Sequence, residues 1–173
     1  MKYFEDERNL YWAKMKENAI IPTKESENAG YDLYACFDDD YIQILPHQTK
    51  LIPTGIAWAC SEDFYLQIEE RSSTGSKGIK KSAGVVDSGY RGEIKIALTN
   101  SRDDSLVLSK LDEDALFEKY SSLKGSLVYP VTKAIAQGIV HRVEKMNVKE
   151  LSYEELSQIS SKRGDKGWGS SGK

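Results

Sequence analysis

The chain has 173 residues, of which 39% are hydrophobic and 29% are charged. These values are typical of one soluble globular domain with some length left for an insertion or a tail, and they exclude a disordered chain. The longest uncharged apolar stretch, residues 51–60, is far too short to cross a bilayer, and the first residues lack the apolar core of a signal peptide. We therefore expect no membrane association.

The cysteines, histidines and charged residues indicate the cellular compartment and the chemical class of partner. Cys36 and Cys60 form neither a disulfide framework nor a paired metal motif, so a reducing cytoplasm is expected, and two histidines disfavour a histidine-based zinc site. The formal net charge is −3, but residues 162–173 hold four basic groups and one acid. The acidic remainder argues against a nucleic-acid surface. The basic tail predicts a small anionic partner, the alternative being a solvated, frayed terminus.

Alternating apolar and polar residues predict a series of short strands. The runs cover residues 41–45, 54–58, 63–69 and 93–99. In the third run Phe64, Leu66 and Ile68 share one face, and glycine, proline, asparagine and aspartate punctuate the runs as expected of strands joined by turns. The pattern predicts an all-β fold, either a sandwich or a jelly-roll-like barrel.

One charged segment departs from this strand pattern. Within residues 101–124, Ser109 is a candidate N-cap for a helix with acids in its first turns. The apolar stripe of that helix comprises Leu116, Tyr120 and Leu123. We interpret residues 101–128 as an insertion that carries one short helix between two strands. A second short helix is indicated at 152–159 by a capping box.

Glycine-flanked polar clusters carry the chemistry. They are AGYDLYA (29–35), RSSTGSKG (71–78), AGVVDSGYRGE (83–93) and RGDKGWGSSG (163–172). Arg71 with the hydroxyls that follow it suits phosphate oxygens, although an ordinary polar turn has the same composition. Asp87 in a tight hairpin could deprotonate a water, and Tyr90 could stack beneath a ring. The alternative is that Asp87 only bonds its own turn and that Tyr90 is a surface aromatic. The fourth cluster lacks the ending of a Walker loop.

The order and spacing of these clusters are more specific than any one of them. Together with TKAIAQ (132–137) they resemble the five motifs of the homotrimeric deoxyuridine triphosphate nucleotidohydrolases, the dUTPases. The resemblance runs from about residue 10 to residue 173, apart from the insertion. It implies an all-β jelly roll that assembles as a homotrimer, with one domain over residues 1–161 and a flexible tail over 162–173 that closes the site.

The resemblance also implies the reaction. It is the Mg²⁺-dependent hydrolysis of dUTP to dUMP and pyrophosphate, which cleans the nucleotide pool and supplies the precursor of dTTP. Asp87 would hold the attacking water and act as its base, Gln137 would help to position that water, and Asp32 would support the metal through water. Tyr90 would pack under the deoxyribose, and the main chain of 84–90 would read the uracil edge. In the tail, Arg163 would meet the γ-phosphate and Trp168 would stack on uracil. The substrate-binding residues implied are Arg71, Ser72, Ser73, Gly84, Val85, Val86, Tyr90, Arg163, Trp168, Gly169, Ser170 and Ser171.

The sequence departs from the family pattern at several points. Trp168 replaces phenylalanine and Ser171 replaces threonine, and both keep the chemistry expected of them. Ala134 stands where an arginine is usual, so an ion pair that normally supports this region is missing. The insertion is similar to one found in some dUTPases of bacteriophages and their hosts, which suggests a protein partner bound through residues 101–128. If that segment is only a partner surface, deletion of 102–124 should leave hydrolysis intact.

Two other functions compete with dUTP hydrolysis. A dCTP deaminase-like enzyme would share the fold, but that branch carries a second arginine shortly after Arg71, and Thr74, Gly75 and Ser76 stand there instead. A regulatory protein-binding module acting through the insertion is the second alternative. A degenerate site would favour it, and the residues at the catalytic positions are present.

Overall fold

The computed structural model describes residues 8–167, and β-structure predominates in them. The strands are Tyr11–Lys14 (β1), Tyr31–Leu33 (β2), Tyr41–Ile44 (β3), Thr49–Pro53 (β4), Ile56–Ala59 (β5), Phe64–Glu69 (β6), Ile79–Lys81 (β7), Val85–Val86 (β8), Lys95–Asn100 (β9), Leu106–Ser109 (β10), Leu127–Pro130 (β11) and Ala136–Arg142 (β12). The helices are Ser72–Gly75 (α1), Glu113–Lys119 (α2) and Tyr153–Ser157 (α3), with a 3₁₀ turn at Ser121–Leu123. The all-β prediction is confirmed.

The strands form four small sheets that pair distant parts of the chain. Their orders are β2-β12-β6-β8, β4-β9-β7, β11-β10-β3 and β1-β5. All pairs are antiparallel except β10 with β11. The sheets contribute to one hydrophobic core, and the fold is the jelly-roll-like architecture that the sequence predicts.

The main core is built from the inward faces of these sheets. Leu66 and Ile68 of β6 are buried, as their alternation predicts. In β9 Ile96 and Leu98 are buried on the core face, and Ala97 is buried on the opposite face, where Lys95 is exposed. Thus the period-two pattern located the strand and its core face, but it did not reveal the local burial of Ala97.

Helix α2 forms within the predicted segment, but its N-cap and its length were predicted wrongly. The helix ends at Lys119, so Tyr120 is its C-cap and Leu123 lies in the 3₁₀ turn that follows. Ser109 ends strand β10, where its hydroxyl donates to the carbonyl oxygen of Leu111 and accepts from the Leu111 amide. The N-cap is Asp112, whose Oδ1 accepts from the Ala115 amide at 2.8 Å. The hydroxyl of Ser109 is engaged by the turn that precedes the helix, so the carboxylate three residues later caps it.

The 101–128 segment contains more than this helix, because it includes all of strand β10. Leu106 and Leu108 project into the main core from β10. Val107 lies on the other face and forms a second cluster with Leu116 and Leu123. The segment is therefore integrated into the fold through its strand, and only the helical part covers the outside of the sheet.

The chain divides into two compact units at residues 143 and 144. In the second unit, α3 begins with the predicted capping box: Ser152 Oγ accepts from the Glu155 amide, and Glu155 Oε2 accepts from the Ser152 amide at 2.8 Å. The proposed boundary between a domain at 1–161 and a tail at 162–173 remains a prediction. Among residues 8–167, none of the helices has the length and apolarity that a bilayer crossing requires.

Candidate active site

Three of the expected site residues meet at one end of the β2-β12-β6 sheet. Gln137 on β12 lies opposite Asp32 on β2 and opposite Glu69 on β6. Arg71 follows β6 directly and starts the α1 turn. The antiparallel register therefore brings together residues from AGYDLYA (29–35), RSSTGSKG (71–78) and TKAIAQ (132–137).

Arg71 and Asp32 form a two-point ion pair in this cluster. Arg71 Nε lies 2.9 Å from Asp32 Oδ1, and Arg71 Nη2 donates to Asp32 Oδ2 at 3.3 Å. The third guanidinium nitrogen, Nη1, donates to the carbonyl oxygen of Ala134 at 3.5 Å. About a third of each charged side chain remains exposed, 32% for Arg71 and 31% for Asp32, so the guanidinium is oriented but still accessible to an anion.

Gln137 is held in the same cluster by the main chain that directly follows strand β6. Its Nε2 donates to the carbonyl oxygen of Glu70 at 2.8 Å. Its side chain also lies against Gly30, where an added Cβ would come within 2.5 Å of Gln137 Oε1. Gly30 is therefore needed for close approach, a role that the sequence cluster alone did not reveal.

The RSSTG cluster forms a single helical turn. Thr74 is buried, and its hydroxyl accepts from the Arg71 amide at 3.1 Å and donates to the Arg71 carbonyl oxygen at 2.9 Å. Ser72 and Ser73 are exposed on this turn. Thr74 thus fixes the turn from inside, while the two serines remain exposed to solvent.

The GVVDSGYRG cluster forms a turn, but the predicted hairpin is wrong. Val85 and Val86 pair with Gln67 and Leu66 of β6, and the Tyr90 amide donates to the Asp87 carbonyl oxygen at 3.1 Å. The next strand, β9, pairs with β4 and β7 in a different sheet. The turn therefore connects two sheets, because β8 pairs with β6 whereas β9 pairs with β4 and β7.

Asp87 and Tyr90 lie at the rim of a cavity of about 350 Å³. Its lining comprises Leu51, Val85, Val86, Asp87, Tyr90, Glu93, Ile94 and Lys95. The Tyr90 hydroxyl donates to the Glu93 carbonyl oxygen at 3.0 Å, and its ring lies against Gly92. The ring is thus fixed at the mouth of the cavity while the residue remains 46% exposed.

Gly84, at the start of the same turn, is constrained by its neighbours. A Cβ added there would lie 3.0 Å from the Ile68 carbonyl oxygen and 2.9 Å from Lys81 Nζ. Lys81 was not identified from the sequence. Its ammonium group lies 3.5 Å from the Glu69 carboxylate and beside Gly84, so it adds a positive charge near the turn.

The two clusters lie apart within one chain. Along β6, Val86 pairs at Leu66 on one side and Gln137 pairs at Glu69 on the other. Three residues of rise and two strand spacings separate Val86 from Gln137, which corresponds to about 14 Å. The Asp87 turn and the Arg71 cluster of one chain therefore do not form a single small pocket.

The tail residues are described only in part. Arg163 is exposed, and its Nε donates to the Lys166 carbonyl oxygen at 2.8 Å. The predictions for Trp168, Gly169, Ser170 and Ser171 lie outside the described residues. Within residues 8–167, there is no group of three or more histidine, cysteine or acidic side chains that could hold a metal ion.

Comparison with known proteins identifies the family of this chain. The dUTPase family model matches residues 16–113. A Mycolicibacterium vanbaalenii deoxyuridine 5'-triphosphate nucleotidohydrolase is 36% identical over 92% of this chain and 92% of its own. The Debaryomyces hansenii protein of the same name is 31% identical over 98% of this chain and 91% of its own. In fold, the chain resembles a Staphylococcus bacteriophage 80alpha dUTPase with dUPNHPP, with TM-score 0.71 and 21% identity over 96% of this chain and 99% of that one. The chain belongs to the dUTPase family.

Proposed function

We propose that the protein hydrolyses dUTP to dUMP and pyrophosphate, and so removes dUTP from the nucleotide pool and supplies the precursor of dTTP. The observation that carries this proposal is the exposed Asp87 carboxylate beside the fixed Tyr90 ring at the mouth of the cavity. Membership of the dUTPase family supplies the substrate class.

In the proposed reaction, Asp87 holds a water molecule and accepts its proton. The oxygen of that water forms a bond to the α-phosphorus, the bond from this phosphorus to the bridging oxygen breaks, and pyrophosphate leaves. Gln137 positions the water or the hydration shell of the metal. Asp87 is exposed, and among residues 8–167 no basic group lies within salt-bridge distance of its carboxylate. Such a carboxylate suits the role of base, because no cation in this part of the chain competes for its charge.

The base and the sugar are bound at the Asp87 turn. Strand β8 is the edge of its sheet, so the backbone groups on its outer side are available to pair with the uracil edge. Gly84, Val85 and Val86 supply this edge. The Tyr90 ring packs under the deoxyribose and leaves no space for a 2′-hydroxyl.

The phosphates are bound by the Arg71 cluster and by the tail. Arg71, Ser72 and Ser73 form the phosphate-binding turn. Arg163, Ser170 and Ser171 would add donors when the tail closes, with Trp168 stacked on uracil and Gly169 allowing close approach. Closure of such a tail excludes water and orders the reacting groups, so it affects turnover as well as binding.

The site is composed from more than one copy of the chain. Strand geometry places Val86 and Gln137 of one chain about 14 Å apart. This separation exceeds the distance between the uracil ring and the α-phosphate of one bound nucleotide. A homotrimer, in which the turn of one copy faces the Arg71 cluster of another, removes this difficulty. The reaction then depends on assembly.

Mg²⁺ fits this site as an ion that is held mainly by the triphosphate and by water. Both oxygens of Asp32 contact Arg71, so Asp32 suits indirect support through water better than direct ligation. Mg²⁺ typically keeps several waters and binds substrate phosphates. When bound, it would neutralise charge on the triphosphate.

A protein partner bound through residues 101–128 is a separate proposal. The outward face of α2 exposes Glu113, Asp114 and Glu118 together with Lys119. Such a charged face suits a partner of complementary charge. It would add regulation to an active enzyme, not replace hydrolysis.

The test is pyrophosphate release with Mg²⁺ from dUTP, dTTP, dCTP and UTP, measured side by side on the purified assembly. We expect release from dUTP alone. Sedimentation of the same sample gives the oligomeric state. Absence of release from dUTP by a folded trimer would contradict the proposed function, and release from UTP at a similar rate would contradict the role of Tyr90.

A further inference from the structure

The phosphate-binding turn, defined here as residues 71–78, is contacted at both of its ends by the residues that flank helix α2 in sequence. One contact comes from Arg102, at the start of the 101–128 segment. The other comes from Tyr129 in strand β11, just after the end of that segment.

At the first end, Arg102 lies against the last residues of the turn. The Ser101 amide donates to the Gly78 carbonyl oxygen at 2.9 Å, and Arg102 Nη1 donates to the Lys77 carbonyl oxygen at 3.4 Å. A Cβ added at Gly78, which has φ +74°, would lie 3.1 Å from Arg102 Cγ. The side chain of Arg102 therefore covers a glycine that the turn requires.

Arg102 is itself fixed by its surroundings. Its Nη2 donates to Asp104 Oδ2 at 2.7 Å, and its amide donates to Asn100 Oδ1 at 3.1 Å. Asn100 is fully buried, and its Nδ2 donates to the carbonyl oxygens of Ile44 and Asp104. A bidentate arginine anchored to a buried amide is a rigid support.

At the other end, Tyr129 reaches the main chain beside Arg71. Its hydroxyl donates to the Ala134 carbonyl oxygen at 2.9 Å, and the same oxygen accepts from Arg71 Nη1 at 3.5 Å. Tyr129 is 2% exposed, and Lys77 Nζ lies 5.6 Å from the centre of its ring. The Tyr129 ring therefore lies beside Lys77 of the turn, and its hydroxyl shares the Ala134 carbonyl oxygen with Arg71.

We propose that Arg102 and Tyr129 are positioning residues that hold the phosphate-binding turn in its ligand-binding geometry. This inference rests on the proposed function for its kinetic consequence. Ala134 supplies no guanidinium, and its carbonyl oxygen, fixed by Tyr129, instead orients the guanidinium of Arg71. The flanks of the inserted segment thus serve the nucleotide site.

Two variants test the proposal. Tyr129→Phe keeps the buried ring and removes the hydroxyl, and Arg102→Ala removes the contact at the other end. The matched controls are Tyr120→Phe and Lys119→Ala. Both residues lie in the 101–128 segment, but they contact Asp40 and not the phosphate-binding turn. A conservative variant, Arg102→Lys, should restore part of the loss because it keeps a donor and the aliphatic cover.

The first readout is the steady-state hydrolysis of dUTP. A loosened phosphate-binding turn weakens contacts made equally in the ground and transition states, so KM should rise while kcat changes little. For Tyr129→Phe, which loses one hydrogen bond, we expect a rise in KM of roughly two- to tenfold. Arg102→Ala also loses the pair with Asp104 and the cover over Gly78, so its KM should rise at least as much. A purely structural role would lower the active fraction, and so the apparent kcat, at unchanged KM.

The second readout is amide hydrogen exchange in the turn and does not require activity. The amides of Gly75, Ser76 and Gly78 donate within the turn and report its opening. They should exchange faster in Tyr129→Phe and Arg102→Ala than in the controls. Wild-type KM together with wild-type exchange in both test variants would overturn the inference. If the wild-type protein does not hydrolyse dUTP, the proposed function fails, while the exchange comparison still decides whether these residues hold the turn.

Discussion

Deletion of residues 102–124 should unfold the protein. The sequence favours a separable segment whose removal leaves hydrolysis intact, but the deletion also removes strand β10. That strand pairs with β3 on one side and with β11 on the other. Its loss would therefore separate two strands of the fold as well as remove a surface helix.

The size of the effect follows from the buried side chains of β10. Leu106 is 0% exposed and Leu108 is 1% exposed, both in the main core. Truncation of one such leucine costs roughly 2–5 kcal/mol, so the loss of both costs roughly 4–10 kcal/mol. Since a domain is stable by only about 5–15 kcal/mol, this loss removes a large part of its stability. The deletion also removes both strand pairings of β10 and the cluster of Val107, Leu116 and Leu123, so we expect the fold to be lost.

A smaller excision provides the control. Replacement of residues 111–125 by a four-residue Gly/Ser linker keeps β10 and β11 and removes only the helical part. From the register, Ser109 and Leu127 are about 11 Å apart, which this linker covers with slack. The excision uncovers Val107, at a cost of roughly 1.5–3 kcal/mol, or a fall in Tm of roughly 3–12 °C.

The assay combines thermal unfolding with dUTP hydrolysis on both deletions. The 102–124 deletion should show no cooperative transition and no activity. The helix excision should unfold cooperatively at reduced Tm and keep the KM for dUTP, because it retains Arg102 and Tyr129. A 102–124 deletion that melts like the wild type would refute the placement of β10 in the core.

Further outcomes follow from the site and from the buried or paired groups. Asp87→Asn should lower kcat by roughly a hundred- to ten-thousandfold at similar KM, because the amide keeps its size but cannot take a proton. The hydrogen bond from Lys119 and a second one from Tyr120 hold the pKa of Asp40 below its ordinary value. This contribution to stability is present above the ordinary aspartate pKa and is lost as the pH falls through the lowered pKa. Unfolding at acid pH, followed by the near-ultraviolet circular dichroism of the tyrosines, should therefore depend less on pH in Asp40→Asn than in the wild type. Burial raises the pKa of the Cys36 thiol, so a thiol reagent near neutral pH should modify it slowly in the folded protein and quickly after denaturation.

Each of these outcomes has a clear contradiction. Turnover near the wild-type value in Asp87→Asn would remove Asp87 from the role of base. Identical acid profiles for Asp40→Asn and the wild type would show that the pair with Lys119 does not contribute to stability. Equal labelling rates of Cys36 before and after denaturation would contradict its burial.

Local sequence patterns predicted the elements that depend on neighbouring residues. The strand at Phe64–Glu69 follows from alternation, and the start of α3 follows from the Ser152 capping box. The predicted N-cap of α2 was wrong because tertiary pairing assigns Ser109 to β10, and Asp112 caps the helix instead. The hairpin predicted at Asp87 was wrong for the same reason, because the pairing of strands depends on residues far away in the sequence.

The sequence by itself determined the all-β class, the family and the chemical identity of the site groups, because each is encoded in short motifs or in local periodicity. Only the tertiary structure decided that Asp32, Arg71 and Gln137 share one sheet end while Asp87 lies elsewhere, since strand register sets those distances. It alone placed Leu106 and Leu108 in the core and brought Arg102 and Tyr129 to the phosphate-binding turn. Such contacts join residues far apart in the chain, and no local pattern records them.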